Sequence, residues 1–151
     1  MKIIRDVGTG VDLDAVLAKP LVAHLATSAP EGPRDSPLWF LWEKERLWII
    51  GTAGDTFPER VRQTAACAMG IVDFDASSGT FIHIGFRGTA DVKPFDKQRA
   101  DRLLAKYLGP ERAAWDPRFQ ALGQENVLIC FQPESVVVRD QSYQPLSPIR
   151  E

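Results

Sequence analysis

Short apolar stretches alternate along the chain with clusters of glycine, proline, aspartate and serine. The segments "LVAHLATS" (21–28), "SPLWFLWE" (36–43), "RLWIIGT" (46–52), "CAMGIVDF" (67–74), "NVLICFQP" (126–133) and "SVVVRD" (135–140) read as strands. "APEGPRD" (29–35) closes a hairpin, Lys44-Glu45 makes a short turn, and "DASSG" (75–79) is a loop. "TFIHIGFRGTADV" (80–92) is too long for one flat strand, and Gly85 and Gly88 predict a bend or bulge in it.

Helical spacing appears in four places. "DLDAVLAK" (12–19) puts Leu13, Val16 and Leu17 on one face, and Pro20 ends it. A second helix starts at Thr56, with Glu59 completing a capping box and Phe57-Pro58 in the first turn, and runs to about Ala66. "DKQRADRLLAKYLG" (96–109) is capped by Asp96 and stopped by Gly109-Pro110, and "PERAAWDPRFQALG" (110–123) is a broken helix. The tail, with Pro145 and Pro148, reads as irregular.

Six or seven strands joined mostly by short connections predict a mainly β fold: an antiparallel six- to seven-stranded barrel with added helices. A doubly wound sheet would need a helix after almost every strand, and that alternation is missing. A length of 151 residues with no linker or repeat favours one domain over 1–151.

Composition narrows the function classes. Hydrophobic content of 44% and charged content of 25% are ordinary for a globular protein. A formal net charge of -2 implies no broad polycationic surface, so no nucleic-acid partner is expected. No apolar run approaches the ~20 residues that span a bilayer, and the N-terminal stretch lacks a signal-peptide pattern, so a cytoplasmic location is expected. Cys67 and Cys130 have no C-x-x-C partner and read as buried free thiols in a reducing compartment. His24 and His83 are the only histidines, so no metal site is expected.

One stretch invites a chemical reading. "GTAGDTFPERVRQT" (51–64) has two glycines, a helix start and two arginines. It is not a Walker loop, which needs G-x-x-x-x-G-K-[ST], nor a G-x-G-x-x-G dinucleotide turn. It still offers the physics of anion binding: unpaired N–H groups at a helix start, the Thr56 hydroxyl, and Arg60 one turn in. Arg62 points roughly 200° further round the helix.

The series "LATSAPEGPRDSPLWFLWEKERLWIIGTAGDTFPERVRQTAACAMGIVDF", followed by "FIHIGFRGTADV", resembles the pyridoxamine 5'-phosphate oxidase-like family of FMN-binding split barrels. The likeness covers roughly residues 13–140 and lies in the order of elements. It implies a split β-barrel with FMN at a homodimer interface. Phosphate contacts fall on Arg34 and on Thr56 and Phe57, with Arg60 nearby supplying the charge of a lysine the family's oxidases carry at this helix. The isoalloxazine ring falls along Ser36, Pro37, Leu38, Ile50 and Gly51, with Asp35 and Thr52 flanking, and Gly51 permits close backbone approach. His83 falls where the family often has glutamine near the cofactor. Trp39 replaces the lysine of true pyridoxamine-phosphate oxidases and is placed to wall the pocket, and Trp115 to reach the partner's flavin. Trp42 and Trp48 read as core or interface packing.

The flavin carries the redox chemistry, and no catalytic dyad or triad is visible. The second-strand lysine and a C-terminal Arg-His pair of the true oxidases are absent, so vitamin B6 oxidation is not expected. The resemblance implies an FMN-dependent oxidoreductase acting on an unidentified small molecule, with NADH or NADPH as possible donor. The alternative is a non-catalytic protein that binds flavin, a deazaflavin or haem.

Overall fold

The computed structural model describes residues 1–7 and 10–146. The end of the expected irregular tail, Pro148 included, lies outside the described residues. Among the described residues eight strands form one curled sheet: β1 (Lys2–Val7), β2 (Ala23–Thr27), β3 (Arg34–Leu38), β4 (Leu41–Glu43), β5 (Arg46–Gly51), β6 (Ala66–Asp75), β7 (Thr80–Pro94) and β8 (Val127–Asp140). The order across the sheet is β3-β2-β6-β7-β8-β5-β4, antiparallel throughout. The sequence pattern did not mark β1, which pairs in parallel with β8. Four helices are added: α1 (Leu13–Leu17), α2 (Phe57–Gln63), α3 (Lys97–Leu108) and α4 (Pro117–Gln120), with a 3-10 turn at Arg112–Ala114.

The half-barrel wraps a continuous core. Leu25, Phe40, Leu47, Ile71, Ile84 and Phe131 are fully buried within it. Phe86 links its aromatic rings, 5.7 Å from Trp42 and 6.3 Å from Phe131 between centroids. Full burial of each such side chain is worth roughly 1.5–3 kcal/mol. Cys67 and Cys130 are free and buried, as expected.

Two boundaries differ from the sequence reading. The segment 36–43 is not one strand: β3 pairs with β2 at one sheet edge, while β4 pairs with β5 at the other. Between them the chain turns at Trp39 and Phe40, outside any ladder. The polar backbone of Phe40 is satisfied from α3 instead. Its N–H donates to the Tyr107 hydroxyl at 3.0 Å, and its carbonyl accepts from Lys106 Nζ at 3.0 Å. Conversely, Val127–Asp140 form one strand rather than two. A register shift at Arg87/Gly88 absorbs Glu134 as a bulge on β8, the irregularity that the glycines of β7 predict. A Cβ on Gly88 would lie 2.1 Å from the Gln132 carbonyl oxygen, so only glycine admits that approach.

Helix α2 stops at Gln63 rather than near Ala66. Its capping box does not form: Thr56 makes no cap hydrogen bond, and Glu59 pairs with Arg62 at 3.4 Å. The Thr56 hydroxyl is used elsewhere.

Candidate functional site

Arg60 lies on α2 and is buried, with 7% exposure. Its guanidinium donates to three hydroxyls: Nε to Thr27 Oγ1 at 2.7 Å, Nη1 to Thr56 Oγ1 at 2.6 Å, and Nη2 to Ser36 Oγ at 3.2 Å. Among the described residues no carboxylate forms an ion pair with it. A guanidinium carries five N–H donors, so three hydroxyl contacts leave donor capacity over. Thr56 is exposed and Ser36 half-buried, so the cluster opens toward solvent on that side. Arg34 stands directly opposite Thr27 in the β2–β3 ladder, and Ser36 is two residues along β3. Cross-strand partners and alternate residues share a sheet face, so Arg34, Ser36 and Thr27 all belong to the face that Arg60 covers.

One residue beyond Ser36 begins a cleft of about 520 Å³. One side comes from β3 and β5 and the residues just after each: Pro37, Leu38 and Trp39, and Ile49, Ile50 and Thr52. The other wall is helical, from Leu103 and Leu104 of α3 and Arg118 and Phe119 of α4, with Leu122 just beyond. Trp39 stacks on Tyr107 at 4.6 Å with planes 3° apart, and on Phe119 at 5.5 Å. The lining is overwhelmingly apolar. Thr52, Arg118 and the Trp39 indole are its polar side chains, and Thr52 is occupied by Asp55, which accepts from its N–H at 2.7 Å and its hydroxyl at 2.9 Å.

No protein-family model and no curated protein matches the sequence. Solved structures do match. A conserved hypothetical protein, Rv2991 of Mycobacterium tuberculosis, aligns over 99% of both chains with TM-score 0.75 at 16% identity. An F420 reductase aligns over 85% of this chain and 98% of its own, with TM-score 0.62 at 23% identity. A candidate pyridoxamine 5'-phosphate oxidase of Listeria innocua aligns over 87% and 96%, with TM-score 0.62 at 18% identity. The chain has the split-barrel fold of the pyridoxamine 5'-phosphate oxidase-like proteins.

Within this split barrel, the sequence-predicted residues fall into distinct places. Pro37, Leu38, Trp39, Ile50 and Thr52 line the cleft. Ser36, Thr56 and Arg60 form the hydroxyl–guanidinium cluster, with Arg34 on the same face. Gly51 is needed for packing: a Cβ there would lie 2.8 Å from Val127 Cγ2 and 3.1 Å from Pro58 Cγ. The Phe57 side chain belongs to the core. Trp115 is buried behind the cleft, its Nε1 donating to the Gly109 carbonyl at 2.9 Å. Asp35 meets His24 Nδ1 at 3.0 Å on the outer face of β2 and β3, and His83 lies on the outer face of β7 opposite Val72. Neither lines the cleft.

Sequence reasoning missed Thr27, which holds Arg60, and the whole helical wall. Leu103 and Leu104 were legible only as the apolar side of α3. Nothing local in "DPRFQ" shows that Phe119 meets Trp39, since the pairing spans the fold.

Proposed function

We propose that this protein is a flavin-dependent oxidoreductase acting on an unidentified small molecule, with FMN or a deazaflavin held between two copies of the chain. The observation that carries the reading is Arg60: a buried guanidinium that donates to three hydroxyls and, among the described residues, pairs with no carboxylate, while one of those hydroxyls belongs to Ser36, which directly precedes the cleft residue Pro37. Burying a charge without a counter-charge is costly, and a phosphate supplies one. The planar fork of arginine suits a phosphate because it donates two parallel hydrogen bonds. The cleft volume of about 520 Å³ lies within the ~300–1,000 Å³ of small-molecule sites.

The residues present therefore fit a flavin-type cofactor. Arg60, Ser36 and Thr56, with Arg34 beside them, hold the phosphate. Leu38, Ile50 and Trp39 supply apolar surface for a planar ring and keep water from it. The bound cofactor supplies the electron-pair transfer. The cleft offers little acid–base chemistry of its own, which suits a reaction whose difficult step belongs to the cofactor.

A deazaflavin is a second reading, favoured by the F420 reductase among proteins of this fold. Separate titrations with FMN and with a deazaflavin, followed by anaerobic reduction with NADH or NADPH, decide between them. No affinity for any flavin-type molecule would overturn the proposal. Binding without turnover by any donor and acceptor would reduce it to a carrier.

The second copy is supported by the outer sheet face. Val72 and Phe74 there are 44% and 57% exposed, and Gly70 pairs with Gly85 in register. Light scattering should give a dimer, and Phe74→Asp should dissociate it. A monomer at micromolar concentration would remove the two-chain site.

A further inference from the structure

A second concavity, of about 370 Å³, lies between the β4–β5 turn and the first half of α3. Its lining is Lys44, Arg46, Arg99 and Arg102 with Glu43 and Trp48. Four cations thus face one carboxylate, in a chain whose formal net charge is -2. Asp96 adds a second acidic group at the rim, 3.7 Å from Arg99.

The pocket is held by specific contacts. Arg102 grips Glu43 with two hydrogen bonds, Nε to Oε2 at 2.7 Å and Nη2 to Oε1 at 3.0 Å. Arg99 Nε donates to Oε1 at 3.3 Å, and its guanidinium sits 3.7 Å above the ring of the buried Trp48. Hydrogen bonds from Arg102 and Arg99 hold the Glu43 carboxyl below its usual range against the opposing effect of burial, so it stays ionised. Lys44 and Arg46 make no ion pair among the described residues, and both are exposed. The left-handed backbone at Lys44 (φ 49°) and Glu45 (φ 57°) forms the tight turn that carries Lys44 within it and Arg46 directly after it.

We propose that this concavity is a second binding site, for a small multiply charged anion of the phosphate-ester or polycarboxylate class. The anion would be gripped by Lys44 and Arg46 and by the donors that Arg99 and Arg102 keep free of Glu43. Each guanidinium has five N–H donors, so the three hydrogen bonds to Glu43 and the Asp96 contact leave donors open on both. Arginine forks recognise phosphate and carboxylate oxygens alike. Glu43 acts as a built-in competitor that orders the two arginines and lowers the affinity for the incoming anion. The site is independent of the flavin reading, because none of its residues lines the apolar cleft.

Titration calorimetry on the full chain at low ionic strength, where exposed charges are least screened, tests this. The probes are inorganic pyrophosphate and citrate, on wild type, on K44A/R46A, on E43Q and on R60A. At least one probe should bind wild type. Its affinity should fall at least about tenfold in K44A/R46A and rise several-fold in E43Q, each tenfold being about 1.4 kcal/mol. R60A should remove only binding at the cofactor cluster and leave the component that K44A/R46A abolishes, which separates the two sites. Selective binding of pyrophosphate assigns a phosphate ester, and of citrate a polycarboxylate. Binding of neither probe, or binding that K44A/R46A leaves unchanged, overturns the proposal. Thermal melting of E43Q confirms that its fold is retained. If E43Q does not fold, the contrast between K44A/R46A and R60A decides alone.

Discussion

Arg60 Nε donates to the Thr27 hydroxyl at 2.7 Å, across 33 positions of sequence, inside a buried cluster where, among the described residues, no carboxylate pairs with it. Helix α2 and strand β2 are thereby joined by a charge whose hydrogen bonds, among the described residues, go to hydroxyls. Arg60→Ala should weaken flavin binding by about 1.5–3 kcal/mol, the worth of charge-assisted hydrogen bonds. Arg60→Lys should recover part of that, since it restores the charge but not the fork. Inorganic phosphate should raise the melting temperature of the wild type more than that of Arg60→Ala. Native affinity in Arg60→Ala would show that the phosphate sits elsewhere.

Trp39 is the aromatic centre of the cleft, stacked between the rings of Tyr107 and Phe119. Trp39→Ala removes two ring pairs worth about 0.5–1.5 kcal/mol each beyond area burial. Both cofactor affinity and stability should fall. Trp39→Phe should keep most of the stability, so ring fluorescence quenching in that variant isolates the effect on binding.

Lys106 and Tyr107 predict a pH dependence with two opposing parts. Burial lowers the Lys106 ammonium from its ordinary 10.5 to about 8, and burial pushes the Tyr107 phenol up to about 12 despite a hydrogen bond to Phe40. Between about pH 8 and 10.5 the unfolded chain binds the Lys106 proton more fully than the folded one does, so stability rises with pH there. From pH 10 toward 12 the folded chain retains the Tyr107 proton that the unfolded chain loses, so this part of stability falls. Urea unfolding of Lys106→Met should lack the rise, and that of Tyr107→Phe the fall. Tyr107→Phe should also cost about 1–3 kcal/mol at neutral pH, because it strips the partner from the Phe40 N–H.

Gly88→Ala would push a methyl group into the Gln132 carbonyl at the β8 bulge. The backbone must shift to admit it, at about 1–3 kcal/mol or more. A loss of roughly 2–4 °C in melting temperature per kcal/mol is expected for a chain of this size. Gly54→Ala, where a Cβ meets nothing within 4 Å, serves as the control.

Much of the fold was legible because its signals are local. Alternating burial along β2 (Ala23–Thr27), the Asp96 cap with the Gly109 stop on α3, and the irregular pairing at Gly88 of β7 each follow from neighbouring residues. The break at Trp39–Phe40 was not legible. The residues there are as strand-forming as their neighbours, and what releases them from the ladder is Tyr107 and Lys106, 67 and 66 positions away.

The candidate site divides in the same way. The amino-acid sequence by itself determined that an arginine follows a helix start after the third strand it marked, and that Ser36, Leu38 and Ile50 sit in strands. Periodicity and turn chemistry fix such things within a few residues. Only the tertiary structure decided that Arg60 is buried among three hydroxyls from three elements, that Gly51 serves packing, and that α3 and α4 close the cleft. Those outcomes depend on how a curled sheet brings its two edges and its added helices together, and no local pattern encodes that distance.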